Sequence, residues 1–109
     1  MAECHYKKDS ISKLGKLYQL KPEVLQAFMD FDSKVYAEGA LSTKIKELIA
    51  IACAHVTQCP YCIEGHTKRA KGAGASDAEV AEAIFVAASL PAGGALAHSC
   101  IAIEALEEK

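Results

Sequence analysis

The sequence has no tryptophan, and it contains only three phenylalanines and four tyrosines in 109 residues. Its apolar content comes instead from small and aliphatic side chains, and alanine alone occurs twenty times. A chain of this length fits one domain over residues 1–109, but helices rich in alanine offer little bulky core volume. We therefore expect apolar faces to be buried between subunits of a homo-oligomer.

Long runs of one charge are also missing. Twelve basic and fourteen acidic residues give a net charge of −2, without the basic cluster that a nucleic-acid surface would need. The segment Leu48 to Val56 is apolar or nearly so, but it is far shorter than the about 20 residues that cross a bilayer. The first residues lack the apolar core of a secretory signal. We expect a cytoplasmic protein that has neither nucleic acid nor a membrane as a partner.

No segment alternates apolar and polar residues as a half-buried β-strand does. Helical periodicity recurs instead and predicts an all-α fold of about six helices. A short first helix begins at Ser10, and the others cover about 22–39, 42–56, 60–71, 76–90 and 95–106. Pro91 to Gly94 is expected to break the last two helices apart. Residues 1–9 are expected to form a mobile tail.

Several local patterns support these helices. Ser42 is suited to cap the third helix, and Ser76 with Glu79 forms a capping-box pattern for the fifth. The second helix has an apolar stripe of Val24, Leu25, Phe28, Phe31, Val35 and Tyr36. In the third helix, the residues at core spacing are Ile45, Leu48, Ile49 and Ala52. The second half of the third helix is apolar nearly all round, which predicts deep burial.

The most distinctive segment is Cys59-Pro60-Tyr61-Cys62, which is followed by His66. With Pro60 as the first helical residue, Cys59, Cys62 and His66 share one helix face. Only a thiolate attacks a disulfide or peroxide, and a helix start favours negative charge on a sulfur. His66 could accept the proton, and the second cysteine could resolve a sulfenic acid or mixed disulfide. The spacing does not decide which sulfur attacks.

Five cysteines are an odd number, and thiols in the cytoplasm stay reduced, so no structural disulfide framework is expected. A structural zinc site needs four converging ligands, and no second CxxC or HxxxH follows the first pair. Adding His55 would spread the ligands along about 16 Å of continuous helix, which is too far for one ion. We therefore expect no metal.

Other candidates have two interpretations each. Glu47, twelve residues before Cys59, is either a solvent-facing or salt-bridged glutamate or a buried carboxylate that relays a proton to the thiols. His55 and Tyr61 are candidates for substrate contacts, or else a core histidine and a shielding aromatic. Cys53 is expected to be an inert buried thiol, and His98 and Cys100 are expected to be packing residues, with a pocket shared between subunits as the alternative place for His98. Cys4 and His5 are expected on the surface of the tail, with no assigned role.

The chain resembles the carboxymuconolactone decarboxylase superfamily, on its alkylhydroperoxidase D branch. The residues that match are Ala40 to Ser42, Lys44, Lys46 to Ala50, Cys59 to His66, Ala70, Gly74 to Ser76 and Glu79. The resemblance covers about residues 20–105. The active-site signature of that branch is a glutamate, followed by eleven residues, CxxC, three residues and a histidine. It implies an all-helical subunit that assembles into homotrimers or homohexamers.

The resemblance also implies roles for the site residues. Cys62 is then the more exposed, peroxide-attacking thiol, Cys59 the resolving thiol, and Glu47 with His66 the proton relay. The implied activity is reduction of hydroperoxides or disulfides, without a cofactor and with an external dithiol as electron donor. Tyr61 stands where well-known hydroperoxidases of the branch often have a relay histidine. The alternatives are a cofactor-free lactone decarboxylase, which needs no thiol pair, and a non-catalytic oligomeric redox sensor.

Overall fold

The computed structural model describes residues 7–109, and within that range all regular structure is helical. A 3-10 helix over Lys8–Lys13 precedes five α-helices: α1 (Leu14–Leu20), α2 (Pro22–Tyr36), α3 (Thr43–Thr57), α4 (Pro60–Gly72) and α5 (Asp77–Glu107). The predicted all-α fold is confirmed. Lys8 and Asp9, placed in the tail by the sequence, begin the 3-10 helix, whereas Cys4 and His5 lie outside the described residues.

Two predicted helix starts are confirmed by their caps. Ser42 Oγ accepts a hydrogen bond from the backbone N–H of Ile45 at 3.2 Å. At the start of α5, Ser76 Oγ accepts from the N–H of Glu79 at 3.1 Å, and the Glu79 carboxylate accepts from the N–H of Ser76 at 2.9 Å. Each cap satisfies N–H groups that have no partner inside the helix. The boundaries of α3 and α5 therefore follow from local sequence.

The third helix lies at the centre of the fold and packs against both α4 and α5. It buries the face formed by Glu47, Ala50, Ile51 and Ala54. Ile51 forms the core with residues from the α4–α5 region, namely Ala70 and Ala75. The predicted core face of α3 is therefore partly wrong, because Ile45 and Ile49 are exposed in the single chain.

The core of the single chain is small, and large apolar side chains lie outside it. Phe28 on α2 is 56% exposed, and Leu96 and Leu106 on α5 are 76% and 80% exposed. The radius of gyration is 18.5 Å, against about 13 Å for a compact domain of this length. The chain exposes 8712 Å², whereas about 5,800 Å² is typical of a folded monomer of its mass. Much apolar surface therefore has no cover within the part of the chain that the structure describes.

The predicted break at Pro91 to Gly94 is wrong, because α5 is one helix of 31 residues with Pro91 inside it. Pro91 forfeits a backbone hydrogen bond, and Gly93 and Gly94 are poor helix formers, but the alanines and leucines on both sides favour the helix and extend it across this segment. By length and composition, α5 could cross a membrane. The segment considered from the sequence, Leu48 to Val56, is therefore not the one that passes this test, and a helix buried in a protein interior has the same composition.

A left-handed residue turns the chain from α3 into α4. Gln58 has φ 58° and ψ 47°, a conformation that costs a residue with a side chain about 1–2 kcal/mol relative to right-handed helix. The N–H groups of Gln58 and Cys59 both donate to the carbonyl of Ala54. The turn sends α4 back along α3, so Cys59 lies beside Ala54 and His66 beside Glu47.

Replacing Gln58 with glycine should stabilise the protein by about 0.5–1 kcal/mol, since glycine adopts a positive φ without a steric penalty. Urea unfolding at one fixed protein concentration measures the change. Gln58→Ala is the matched control, because alanine keeps the Cβ atom and should bring no gain. A glycine variant no more stable than the alanine variant would contradict the described turn.

Candidate functional site

The two thiols of the CxxC segment lie at the start of α4. Cys59 is the N-cap residue, with Pro60 as the first residue of the helix, and its sulfur accepts a hydrogen bond from the N–H of Cys62 at 3.3 Å. The two sulfurs are at bonding distance, with Cα atoms 5.3 Å apart, a separation typical of disulfides. Cys62 is exposed and Cys59 half-buried. An approaching molecule therefore meets Cys62 first.

Glu47 is 1% exposed, so the solvent-facing interpretation of this residue is wrong. One of its carboxylate oxygens, Oε2, lies 2.6 Å from Nδ1 of His66, whose side chain is mostly buried. Because a carboxylate accepts, Nδ1 must carry the proton and donate it. In the neutral imidazole, Nε2 is then an acceptor. The pair therefore holds His66 in the tautomer that a proton acceptor needs.

Arg69 completes this group from the next turn of α4. Its Nε lies 3.5 Å from Oε1 of Glu47, and its Nη2 lies 3.3 and 3.4 Å from the two ring nitrogens of His66. An atom so nearly equidistant from both nitrogens cannot lie in the ring plane, where it would collide with the carbon between them. The guanidinium thus covers the ring face and balances the buried carboxylate. Its position three residues after His66 was the available sequence signal.

A cavity of about 400 Å³ opens beside Cys62 and His66, between α2, α3 and α4. Tyr36, at the end of α2, also lines it, with its ring centroid 5.1 Å from that of His66. Burial raises the pKa of Tyr36, and the nearby Glu47 carboxylate raises it further. Tyr36 therefore keeps its O–H at neutral pH and can donate a hydrogen bond into the cavity. Sequence reasoning assigned Tyr36 only to an apolar stripe.

Other sequence candidates lie apart from this group or differ from expectation. His55 donates from Nδ1 to the carbonyl of Ile51 at 2.8 Å, within α3, and it is not among the residues that line the cavity. Tyr61 donates from its hydroxyl to the carbonyl of Lys7 at 3.3 Å. Cys53, expected to be an inert buried thiol, is exposed and lines the cavity. This expectation is wrong because Cys53 lies on the α3 face that α2 leaves partly open.

His98 and Cys100 on α5 are exposed rather than packed within the single chain. Over residues 7–109, no three His, Cys, Asp or Glu side chains are grouped closely enough to hold a metal ion. The residues that the structure brings to one place are therefore Cys59, Cys62, His66 and Glu47, joined by Tyr36 and Arg69.

Comparison with known proteins identifies relatives over most of the chain. The carboxymuconolactone decarboxylase family matches residues 22–105. "Uncharacterized protein 4 in cox locus" of Paracoccus denitrificans is 46% identical over 95 residues, which cover 87% of this chain and 86% of the relative. An uncharacterized Haemophilus influenzae protein is 44% identical over 66 residues, covering 61% of this chain and 55% of the relative.

Two solved structures are also similar. A carboxymuconolactone decarboxylase family protein from Legionella pneumophila, in its apo form, has a TM-score of 0.73 and 34% identity, covering 92% of this chain and 89% of that one. A protein from Methanobacterium thermoautotrophicum has a TM-score of 0.72 and 35% identity, covering 78% of this chain and 96% of that one. The helical arrangement of this chain is therefore shared with experimental structures.

The Glu47–His66 pair should be energetically coupled. His66→Ala should destabilise the protein by about 3 kcal/mol, because it leaves a buried carboxylate without its main partner. The same change in a Glu47→Gln background should cost only about 1 kcal/mol, since no charge is then stranded. Urea unfolding of the wild type, the two single variants and the double variant gives the coupling. His55→Ala, a half-buried histidine bonded only to its own helix, is the control, and additive effects at Glu47 and His66 would contradict the pair.

Proposed function

This chain belongs to the carboxymuconolactone decarboxylase family, and from that premise we propose that it is a thiol-dependent oxidoreductase that reduces hydroperoxides or disulfides. The observation that carries the proposal is a CxxC pair at disulfide distance, with a carboxylate-held histidine beside it at the same cavity. An external dithiol regenerates the reduced form, and no bound cofactor is required. We also propose that the protein acts in the cytoplasm.

In the proposed reaction, Nε2 of His66 accepts the proton of the Cys62 thiol, while Glu47 holds Nδ1–H and stabilises the imidazolium. The thiolate attacks the terminal oxygen of the hydroperoxide, and the O–O bond breaks. Cys62 becomes a sulfenic acid. The leaving alkoxide takes the proton from His66 and departs as an alcohol. Tyr36, as a hydrogen-bond donor in the cavity, is placed to orient the peroxide oxygen.

The second half of the cycle uses Cys59. Its thiolate attacks the Cys62 sulfur, the S–S bond forms, and the hydroxyl of the sulfenic acid leaves as water with the proton that Cys59 gave up. One thiolate of an external dithiol then attacks the exposed Cys62 sulfur and releases the Cys59 thiolate. The donor's second thiol attacks the donor sulfur of this mixed disulfide, which releases Cys62 and leaves the donor as a disulfide. The N–H of Cys62, which points at the Cys59 sulfur, favours the thiolate that leaves. The same exchange would reduce a disulfide substrate without the peroxide step.

Peroxide turnover with dithiothreitol as donor and cumene hydroperoxide as substrate tests the proposal. Cys62→Ser should abolish consumption, and Cys59→Ser should allow the first oxidation but slow steady turnover, because no thiol resolves the sulfenic acid. Glu47→Gln should lower kcat by about 10-fold or more, since the carboxylate no longer stabilises the imidazolium. Cys100→Ser, an exposed thiol on α5, is the control and should match the wild type.

Wild-type activity in both CxxC variants would show that the thiols are not the catalysts. In that case lactone decarboxylation, which needs no thiol pair, would be the assay to follow. One disulfide formed per subunit without turnover, together with a change in assembly, would instead identify a redox sensor.

We also propose that the chain functions as a homotrimer or homohexamer. The support is the uncovered apolar surface of α2 and α5, which includes Phe28, Leu96 and Leu106. Obligate oligomers bury about 2,000–5,000 Å² in such interfaces. The accessible surface of this chain, 8712 Å², exceeds the about 5,800 Å² of a typical monomer of its mass by an area of that order. We propose for the same reason that no membrane is involved, because an oligomer would cover the apolar surface of α5.

Sedimentation equilibrium should give three or six times the chain mass of 11.6 kDa. Leu96→Glu should lower the mass toward that of one chain, because a buried, unpaired carboxylate is costly in an apolar interface. Leu96→Met, which conserves size and polarity, should leave the assembly unchanged. A monomeric wild type, or a protein recovered only with membranes, would contradict the proposal.

A further inference from the structure

We propose that the cavity beside Cys62 selects an anionic amphiphile, a hydroperoxide with a linear apolar chain and a carboxylate, and that Lys46 pairs with the carboxylate. The ligand class follows from the cavity itself, whereas the peroxide chemistry rests on the function proposed above.

One stripe of α3 forms the long wall of the cavity. Its members recur at three- and four-residue steps, so they share a single helix face. They are Lys46, Ile49, Ala50, Cys53, Ala54 and Thr57. At 1.5 Å per residue, the stripe is about 16 Å long. The cavity is thus an elongated apolar slot that has a cation at one end.

The reactive thiol lies partway along this wall. Cys59 donates from its N–H to Ala54 at 3.1 Å, and His66 contacts Glu47 at 2.6 Å. Because α3 and α4 are antiparallel, Cys62 lies between these two levels, close to the level of Ile51. Five residues of α3 therefore separate it from Lys46, or about 8 Å along the axis.

The ammonium of Lys46 lies farther from the thiol than the backbone of Lys46 does. Helical side chains lean toward the N-terminus of their helix, and Nζ of Lys46 donates to the carbonyl of Ala37 at 2.6 Å. Aliphatic side chains from two helices, Val35 and Ile49, line the same cavity, and Ile49 follows Lys46 on the α3 stripe in the direction of Cys62. A ligand that reaches both ends must therefore carry an apolar segment between its anion and its reacting group.

Lys46 has hydrogen-bonding capacity to spare for a ligand. An ammonium has three donors, and within residues 7–109 no carboxylate pairs with it. Lys44, two residues earlier, pairs instead with Glu79 at 2.8 Å. Glu47, one residue later, is turned toward His66 and Arg69. Each neighbouring charge therefore has a partner on another element, and Lys46 is the cation that faces the cavity.

The size and chemistry of the cavity narrow the ligand class. A volume of about 400 Å³ falls within the range of small-molecule sites. A neutral alkyl hydroperoxide would cover the ammonium without offering it an acceptor, which is unfavourable. A carboxylate satisfies it, and a chain of about eight carbons spans the distance to Cys62. The structure therefore favours a fatty-acid hydroperoxide over a neutral one.

Calorimetric binding of octanoate and 1-octanol to the intact disulfide form tests the ligand class without turnover. Octanoate should bind about fivefold more tightly than octanol, the upper range for a partly exposed ion pair. Lys46→Met should remove this difference by weakening octanoate alone, and Lys46→Arg should keep it. Lys71→Met, an exposed lysine of α4 outside the cavity, is the matched control. Equal binding by the wild type, or a preference that survives Lys46→Met, would overturn the proposal.

The chemistry is tested with a C18 fatty acid carrying its hydroperoxide on the ninth carbon, compared with its methyl ester. The wild type should reduce the acid with the higher kcat/KM, and Lys46→Met should lower the ratio of the two values to about one, as Lys46→Arg should not. Equal rates for acid and ester in the wild type would overturn the selectivity and leave the proposed function standing. Charge-dependent octanoate binding without reduction of either peroxide would support the ligand class and refute the peroxidase function.

Discussion

The arrangement of α3 and α4 depends on a buried carboxylate and its partners. Moving an ion out of water costs several kcal/mol even after the protein relaxes, and Glu47 is nearly inaccessible. The cost is offset only if His66 and Arg69 reach it, which requires α4 to lie antiparallel to α3 in one register. Alanines at 50 and 54, on the buried face of α3, leave room for this close approach. Satisfying the charge therefore also positions His66, the base of the proposed reaction, beside the thiols.

That register connects stability with chemistry. The left-handed turn at Gln58 and the Pro60 start set where α4 begins, and they place both sulfurs in its first turn. The Glu47 carboxylate then directs the protonated nitrogen of His66 inward. The other nitrogen is left as an acceptor. Few large residues are buried in the single chain, so this polar group and the oligomer proposed above carry much of the specificity of the fold.

The parts of the site predicted from sequence are those encoded by neighbours along the chain. Such features depend on residues three or four apart in the chain, so periodicity reveals them. They are the helix face shared by Cys59, Cys62 and His66, the helix start at Pro60 and the capping box at Ser76. Local rules failed at Pro91, where flanking helix formers outweigh one lost hydrogen bond. They also misplaced the core face of α3, since the buried face contains Glu47 and hydrophobic periodicity ignores a charged residue.

Contacts between distant segments were beyond reach from the residues alone. Nothing near Tyr36 indicates that the end of α2 meets His66, and nothing around Lys46 distinguishes it from Lys44 until Glu79 is found on α5. In the proposed function, Cys62 is the thiol that the Glu47–His66 pair serves. The most direct test of this role is mass spectrometry of Cys59→Ser protein treated with one equivalent of hydroperoxide and dimedone. The account predicts a dimedone adduct on Cys62, and an adduct on Cys53, or none at all, would contradict it.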